Sequence, residues 1–171
     1  MRNDTMKKRI LFILASVVLS IAGIALAHED VKNFPSCKYC GMNREKFAYS
    51  RTLVTYDDGT LFGACSIHCL AIDFVVNIDK APAKIEVGDY NSKQLIDAEK
   101  AFWVIGGSKP GVMTRQGQWA FTQKEEAEAF VKDNGGAIAT FEEVMKAAYE
   151  NMYTDTKRIR EKRKLRKLGH N

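Results

Sequence analysis

Apolar positions along this chain fall into short runs of strand type, separated by two stretches with helical spacing. A long apolar run precedes them and a long amphipathic stretch follows. After a short linker, residues 46–56 predict a strand rich in aromatic and β-branched side chains, and Asp57-Asp58-Gly59 is a hairpin turn signal. A second strand over 60–64 leads into Cys65. There Ser66 can cap a helix that carries Ile67, Leu70, Ala71, Phe74 and Val75 on one face and runs to Asn77. A strand at 84–87 follows. The order then recurs as strand 101–105, glycine-rich connection 106–111, strand 118–121, a helix over 123–133 capped by Thr122, and strand 137–140. The expected fold class is therefore α+β: two tandem ββαβ units, at 34–90 and 91–141, followed by a long basic C-terminal helix within 142–171. Thr154 is a candidate break in that helix.

The first nine residues are basic in character and lead into the apolar run at 10–26, which ends in Ala25-Leu26-Ala27. This is the layout of a secretory signal peptide over 1–27, with an uncleaved membrane anchor as the alternative. No cysteine near the cut offers a lipid acceptor, since Cys37 is the first. Cleavage makes His28 the N-terminus, where amine and imidazole together are a candidate chelate for cupric copper. Export places the mature chain in the periplasm, where disulfides are permitted.

Charge sharpens the division of the chain. The whole carries +5, from 26 basic and 21 acidic residues, but the tail at 157–167 holds eight basic residues and one acidic. The rest of the mature chain is acidic. An anionic membrane surface or an acidic protein face fits such a tail, and nucleic acid is excluded outside the cytoplasm. The basic turns carry only a thin apolar stripe of Ile159, Leu165 and Leu168, so fraying, or lying on a membrane surface, is expected.

All four cysteines lie in one stretch as two close pairs, Cys37 with Cys40 and Cys65 with Cys69, with Met42 just after the first pair and His68 inside the second. Thiolates suit zinc, iron–sulfur clusters and Cu(I) alike, and a thioether tilts the choice toward copper. A structural zinc on Cys37, Cys40, Cys65 and Cys69 is the competing reading, and an exported thiol oxidoreductase or a pair of disulfides stays open. Neither pair is followed directly by histidine, which excludes haem attachment. No serine, histidine and carboxylate set and no phosphate loop is present, so an enzyme is not expected. Residues 106–111 read as a flexible turn that presents Met113.

Cys37-Lys38-Tyr39-Cys40-Gly41-Met42, then Ala101-Phe102-Trp103-Val104-Ile105-Gly106-Gly107-Ser108, then Gly111-Val112-Met113, and finally Ala120-Phe121 through Glu125, Glu126, Ala127, Phe130 and Gly135-Gly136 resemble the NosL family of copper-binding accessory proteins of nitrous oxide reductase assembly. The resemblance implies two ββαβ units related to the organomercurial lyase fold. It implies a Cu(I) site on Cys40 and Met42, with Met113 as a further ligand, and delivery of copper to the reductase in the periplasm. Cys37, Cys65, His68 and Cys69 are additional or alternative ligands. Residues 37–69 also resemble TRASH or YHS metal-binding modules, which keeps a metal sensor or buffer in view. The implied partners are a copper-receiving periplasmic enzyme or a copper donor.

Overall fold

The computed structural model describes residues 29–168 of the chain. The segment expected to be a signal peptide, 1–27, and His28 and His170 lie outside the described residues. Among those described, no helix is long and apolar enough to cross a membrane.

The first hairpin forms where β-branched side chains alternate. Strand β1 (Thr52–Tyr56) buries Thr52, Val54 and Tyr56 and pairs antiparallel with β2 (Leu61–Ala64). The turn between them is closed by Gly59 N–H to Tyr56 O and by Asp58, whose carboxylate accepts from the backbone and hydroxyl of Thr60. Strand β3 (Pro82–Gly88) adds to the other side of β1, and β4 (Leu95–Asp97) adds to β3, giving the sheet order β2-β1-β3-β4. A second antiparallel sheet has the order β6-β5-β7, from β5 (Phe102–Ile105), β6 (Gln118–Phe121) and β7 (Ala137–Ala139). The two halves are joined by Tyr90 N–H to Ala120 O, and by Thr122, whose N–H and hydroxyl both donate to buried Asp89.

One hydrophobic core serves both halves. It takes Val54, Ile85 and Leu70 from the first, and Trp103, Val112 and Ala120 from the second, with Phe141, Val144 and Ala148 from the C-terminal helix. An aromatic cluster of Trp119, Phe121 and Phe130 forms a smaller second core under the other sheet.

The helices are α1 (Glu29–Asn33), α2 (Ile67–Val76), α3 (Lys124–Asn134) and α4 (Phe141–Leu168). Both α1 and β4 lie in stretches too short for a periodic signal, and no element was expected at either. What holds α1 is charge: buried Asp30 pairs with Arg44 at 2.8 Å and with Arg51 at 3.0 Å, and Arg44 also donates to the carbonyls of Phe34, Thr52 and Ala64.

Five sequence expectations need correction. The strand expected over 46–56 begins only at Thr52, because 44–50 turns back on itself through Phe47 N–H to Asn43 O, Ala48 N–H to Glu45 O and Ser50 N–H to Phe47 O. Ser66 occupies the cap position of α2 with an extended backbone, but its side chain makes no capping bond. Gln123, not Thr122, is the cap residue of α3, since Thr122 is committed to Asp89. Helix α4 runs through Thr154 without a break, and the Thr154 hydroxyl donates to Asn151 O in the preceding turn. The stretch beginning at Gly106-Gly107 is no loose turn: Gly107 packs so closely on Gly135 that an added Cβ would lie 2.8 Å from its carbonyl, and a Cβ at Gly136 would lie 2.8 Å from Ile105 O. Two glycine pairs thus let two backbones meet, with Ser108 N–H bonded to Asn134 O at 2.7 Å.

Candidate metal centre

The first cysteine pair sits on a knuckle whose shape is set by its own backbone. Cys37 N–H donates to Met42 O at 2.9 Å and Gly41 N–H to Cys37 O at 2.8 Å, which needs Gly41 at φ +75. Between the cysteines, Tyr39 donates its hydroxyl to buried Asp73 of α2 at 2.7 Å, and the same carboxylate accepts from Tyr56 and from Asn77. Burial, and then the bond to Asp73, push the Tyr39 phenol above its ordinary range, so it remains a donor. The knuckle is thereby tied to the helix that carries the second pair.

That second pair lies where β2 runs into α2. Cys65 precedes the helix and Cys69 and His68 occupy its first turn, all fully or almost fully buried. The four sulfurs converge so that all lie within 4.8 Å of one another. Cys40 Sγ is 3.3 Å from Cys65 Sγ, and Cys65 Sγ is 3.8 Å from Cys69 Sγ. Each thiol is free. For comparison, bonds of about 2.3 Å from a tetrahedral centre set neighbouring thiolate sulfurs roughly 3.8 Å apart.

The four thiols are not equivalent. Cys40, then Cys65 and Cys69, donate toward Cys37 Sγ and hold its pKa far below the ordinary thiol range. Cys40 is lowered too: its bond to Cys37 acts the other way, and bonds from Cys65 and Cys69 outweigh it. Cys65 and Cys69 are pushed up, first because they keep their protons in bonds to Cys37 and Cys40, and further by burial. The knuckle pair is therefore the acidic pair and the helix pair the basic one. Cys40 alone of the four is half-buried; Cys37, Cys65 and Cys69 are at most 2% exposed.

Met113 reaches the same place from the second half of the chain. It lies in the left-handed region at φ 64, an unfavourable conformation for a side-chain-bearing residue. The loop is strapped down by Arg115 N–H, which donates to buried Asp155 of α4 at 3.0 Å, and by Asn151, which donates to Gln116 at 3.1 Å. Two clefts open onto the cluster. One, of about 180 Å³, is lined by Cys40, Cys69, His68 and Met113; the other, of about 250 Å³, by Cys40, Met42 and Met113. All seven residues singled out in the sequence thus converge. His68 borders the cluster without belonging to the four-sulfur set, and its Nδ1 has no hydrogen-bond partner. Burial above all lowers its pKa, with Asp155 opposing the shift and Arg158 adding to it.

Sequence reasoning missed the cover of this site. The basic turns of α4, expected to fray or to lie on a membrane, cross the knuckle: Ile159 and Arg163 line both clefts, and Arg163 Nη2 donates to Cys40 O at 3.4 Å. Their signal was the spacing of Asp155, Ile159 and Arg163, four residues apart on one helix face.

A family model described as NosL matches residues 28–149 of the chain. Among solved structures, the crystal structure of the copper chaperone NosL from Shewanella denitrificans is similar at a TM-score of 0.51 and 25% sequence identity, over 66% of this chain and 90% of that one. No curated protein matches the chain.

Proposed function

Because the chain belongs to the NosL family, we propose that it is an exported Cu(I) metallochaperone that supplies nitrous oxide reductase or another periplasmic copper enzyme. One observation carries the reading: Cys40, the half-buried member of four convergent sulfurs, shares a cleft with the thioethers of Met42 and Met113. Cys40 serves as thiolate anchor and the methionines as neutral soft ligands, with Cys37, Cys65, Cys69 and His68 available to complete or replace them. Thioethers bind Cu(I) without adding charge, so incoming ligands from a partner can displace them one at a time. In this reading residues 1–27 are the signal, 34–90 supply the cysteines, 91–141 supply Met113, and the C-terminal helix within 142–171 covers the site with its turns at 156–166. The role is delivery to a periplasmic recipient, with no catalysis.

The test is titration of the reduced protein with Cu(I) against a chromophoric competitor. Cys40→Ala and Met42→Ala are each expected to weaken binding by about tenfold or more. Unchanged affinity in both refutes the assignment. A second reading, a structural zinc on the four cysteines, is favoured by their mutual separation, which fits a tetrahedral thiolate set. Native mass spectrometry separates the two: a retained zinc whose removal by chelator unfolds the chain supports zinc, whereas a chain that stays folded without metal and takes up Cu(I) supports delivery.

A further inference from the structure

We infer that the basic face of α4 is a docking surface for an acidic protein segment bearing soft ligands, which reaches Cys40 through the clefts beside the helix. The inference rests on the copper reading above and names the kind of partner. Arg160 lines the smaller cleft, Arg158, Lys162 and Arg166 line the larger, and Arg163 lines both. Cations therefore surround the accessible sulfur on both sides, and among the described residues no carboxylate lines either cleft.

Four of these five charges also lack an ion pair among the described residues. Arg158 pairs with Asp155 at 3.3 Å, but among the described residues Arg160, Lys162, Arg163 and Arg166 have no ion-pair partner. Single cations elsewhere, such as Lys38, Lys46 and Lys132, also lack an ion pair among the described residues, but only here do several gather around one opening. A row of unpaired cations around a concave opening attracts and orients an acidic segment, accelerating encounter and disfavouring basic competitors.

Shape distinguishes a protein segment from a lipid surface. The cations flank clefts of about 180 and 250 Å³ that lead to buried sulfur, and a flat bilayer face cannot enter them. A narrow segment can, and a carboxylate that pairs with Arg163 competes with its bond to Cys40 O, one of the contacts between α4 and the knuckle. Docking and loosening of the site are then one event.

The experiment uses the full chain loaded with one Cu(I), and two synthetic peptides with the same methionine–histidine centre, one flanked by aspartate and glutamate and the other by lysine and arginine. Copper transfer is followed at low and high salt for the native protein and for the triple variant Arg160→Glu, Lys162→Glu, Arg166→Glu, whose sites are exposed. Transfer to the acidic peptide is expected to be about tenfold faster, with the advantage lost near 1 M salt and inverted in the variant. Equal rates, or a preference that survives charge reversal, overturn the inference. So does binding to mixed phosphatidylglycerol and phosphatidylcholine vesicles without any peptide preference, which assigns the face to lipid. Cu(I) affinity is titrated separately for both proteins. If neither binds copper, the chaperone reading is what fails, and anisotropy of the labelled peptides on metal-free protein still decides whether the face selects acidic segments.

Discussion

His68 shows how much a single buried side chain can dictate. It sits in the first turn of α2, 2% exposed, with Nδ1 unpartnered, and burial holds its pKa below the ordinary 6.5. The folded protein therefore keeps a neutral imidazole where the unfolded chain takes a proton. Since the unfolded state binds more protons below about 6.5, stability falls as pH drops from there toward the folded pKa, by up to about 1.4 kcal/mol per pH unit. Urea unfolding of the reduced, metal-free protein near pH 7.5 and 5.5 measures this; Cys37 and Cys40, whose lowered thiols take up protons on unfolding, add to the same slope, and His68→Gln is expected to lose only the share of the histidine. An equal slope in the variant excludes His68 as its source. The candidate ligand types at this scale were legible, because cysteine, methionine and histidine announce their chemistry by name. Which cysteine is half-buried was not, because exposure depends on what the rest of the chain lays over it.

At the scale of elements, pattern served well where a strand or helix was long enough to show its period. Strand β6 and helix α2 stand within a residue of expectation, since alternation and 3.6-residue spacing are local properties. Helix α1 was illegible because five residues carry no period and their anchor is a buried carboxylate between two guanidiniums distant in sequence. Asp30→Ala removes the carboxylate that both Arg44 and Arg51 face, and a destabilisation of about 3–5 kcal/mol is expected from denaturant midpoints. Asp30→Asn, which keeps an acceptor, is expected to lose less. A loss under about 1 kcal/mol for Asp30→Ala would mean that water replaces the carboxylate and that α1 is not held by this triad. The motif glycines gained their reason only in three dimensions: Gly106-Gly107 and Gly135-Gly136 are where two backbones touch.

Across the whole molecule, the copper site proposed above would draw on three separate regions: the knuckle at 37–42, the β2–α2 junction, and the Met113 loop held by α4. A metal bound by all three staples the halves, so it binds the folded chain far better than the unfolded one. At Cu(I) activity one hundred times Kd the gain is about 2.7 kcal/mol. Thermal unfolding with and without buffered Cu(I) checks this, and Met113→Leu is expected to reduce the gain while leaving the metal-free melting temperature close to native. If the gain is the same in Met113→Leu, the second half does not contribute a ligand.

By itself the sequence determined the elements whose periods are long enough to read, the sulfur-rich chemistry of residues 37–69 and Met113, and the segregation of positive charge into the last turns, because residue type and short-range spacing set all three. Only the tertiary structure decided that both cysteine pairs form one cluster, that Cys40 is its accessible member, and that the basic turns of α4 roof it. Those depend on contacts between residues up to 123 positions apart, such as Arg163 with Cys40. Tyr39 bonded to Asp73 brings the knuckle to α2, and packing of α4 against α2 lays the basic turns over it; the spacing of Asp155, Ile159 and Arg163 marks a helix face but not what that face covers.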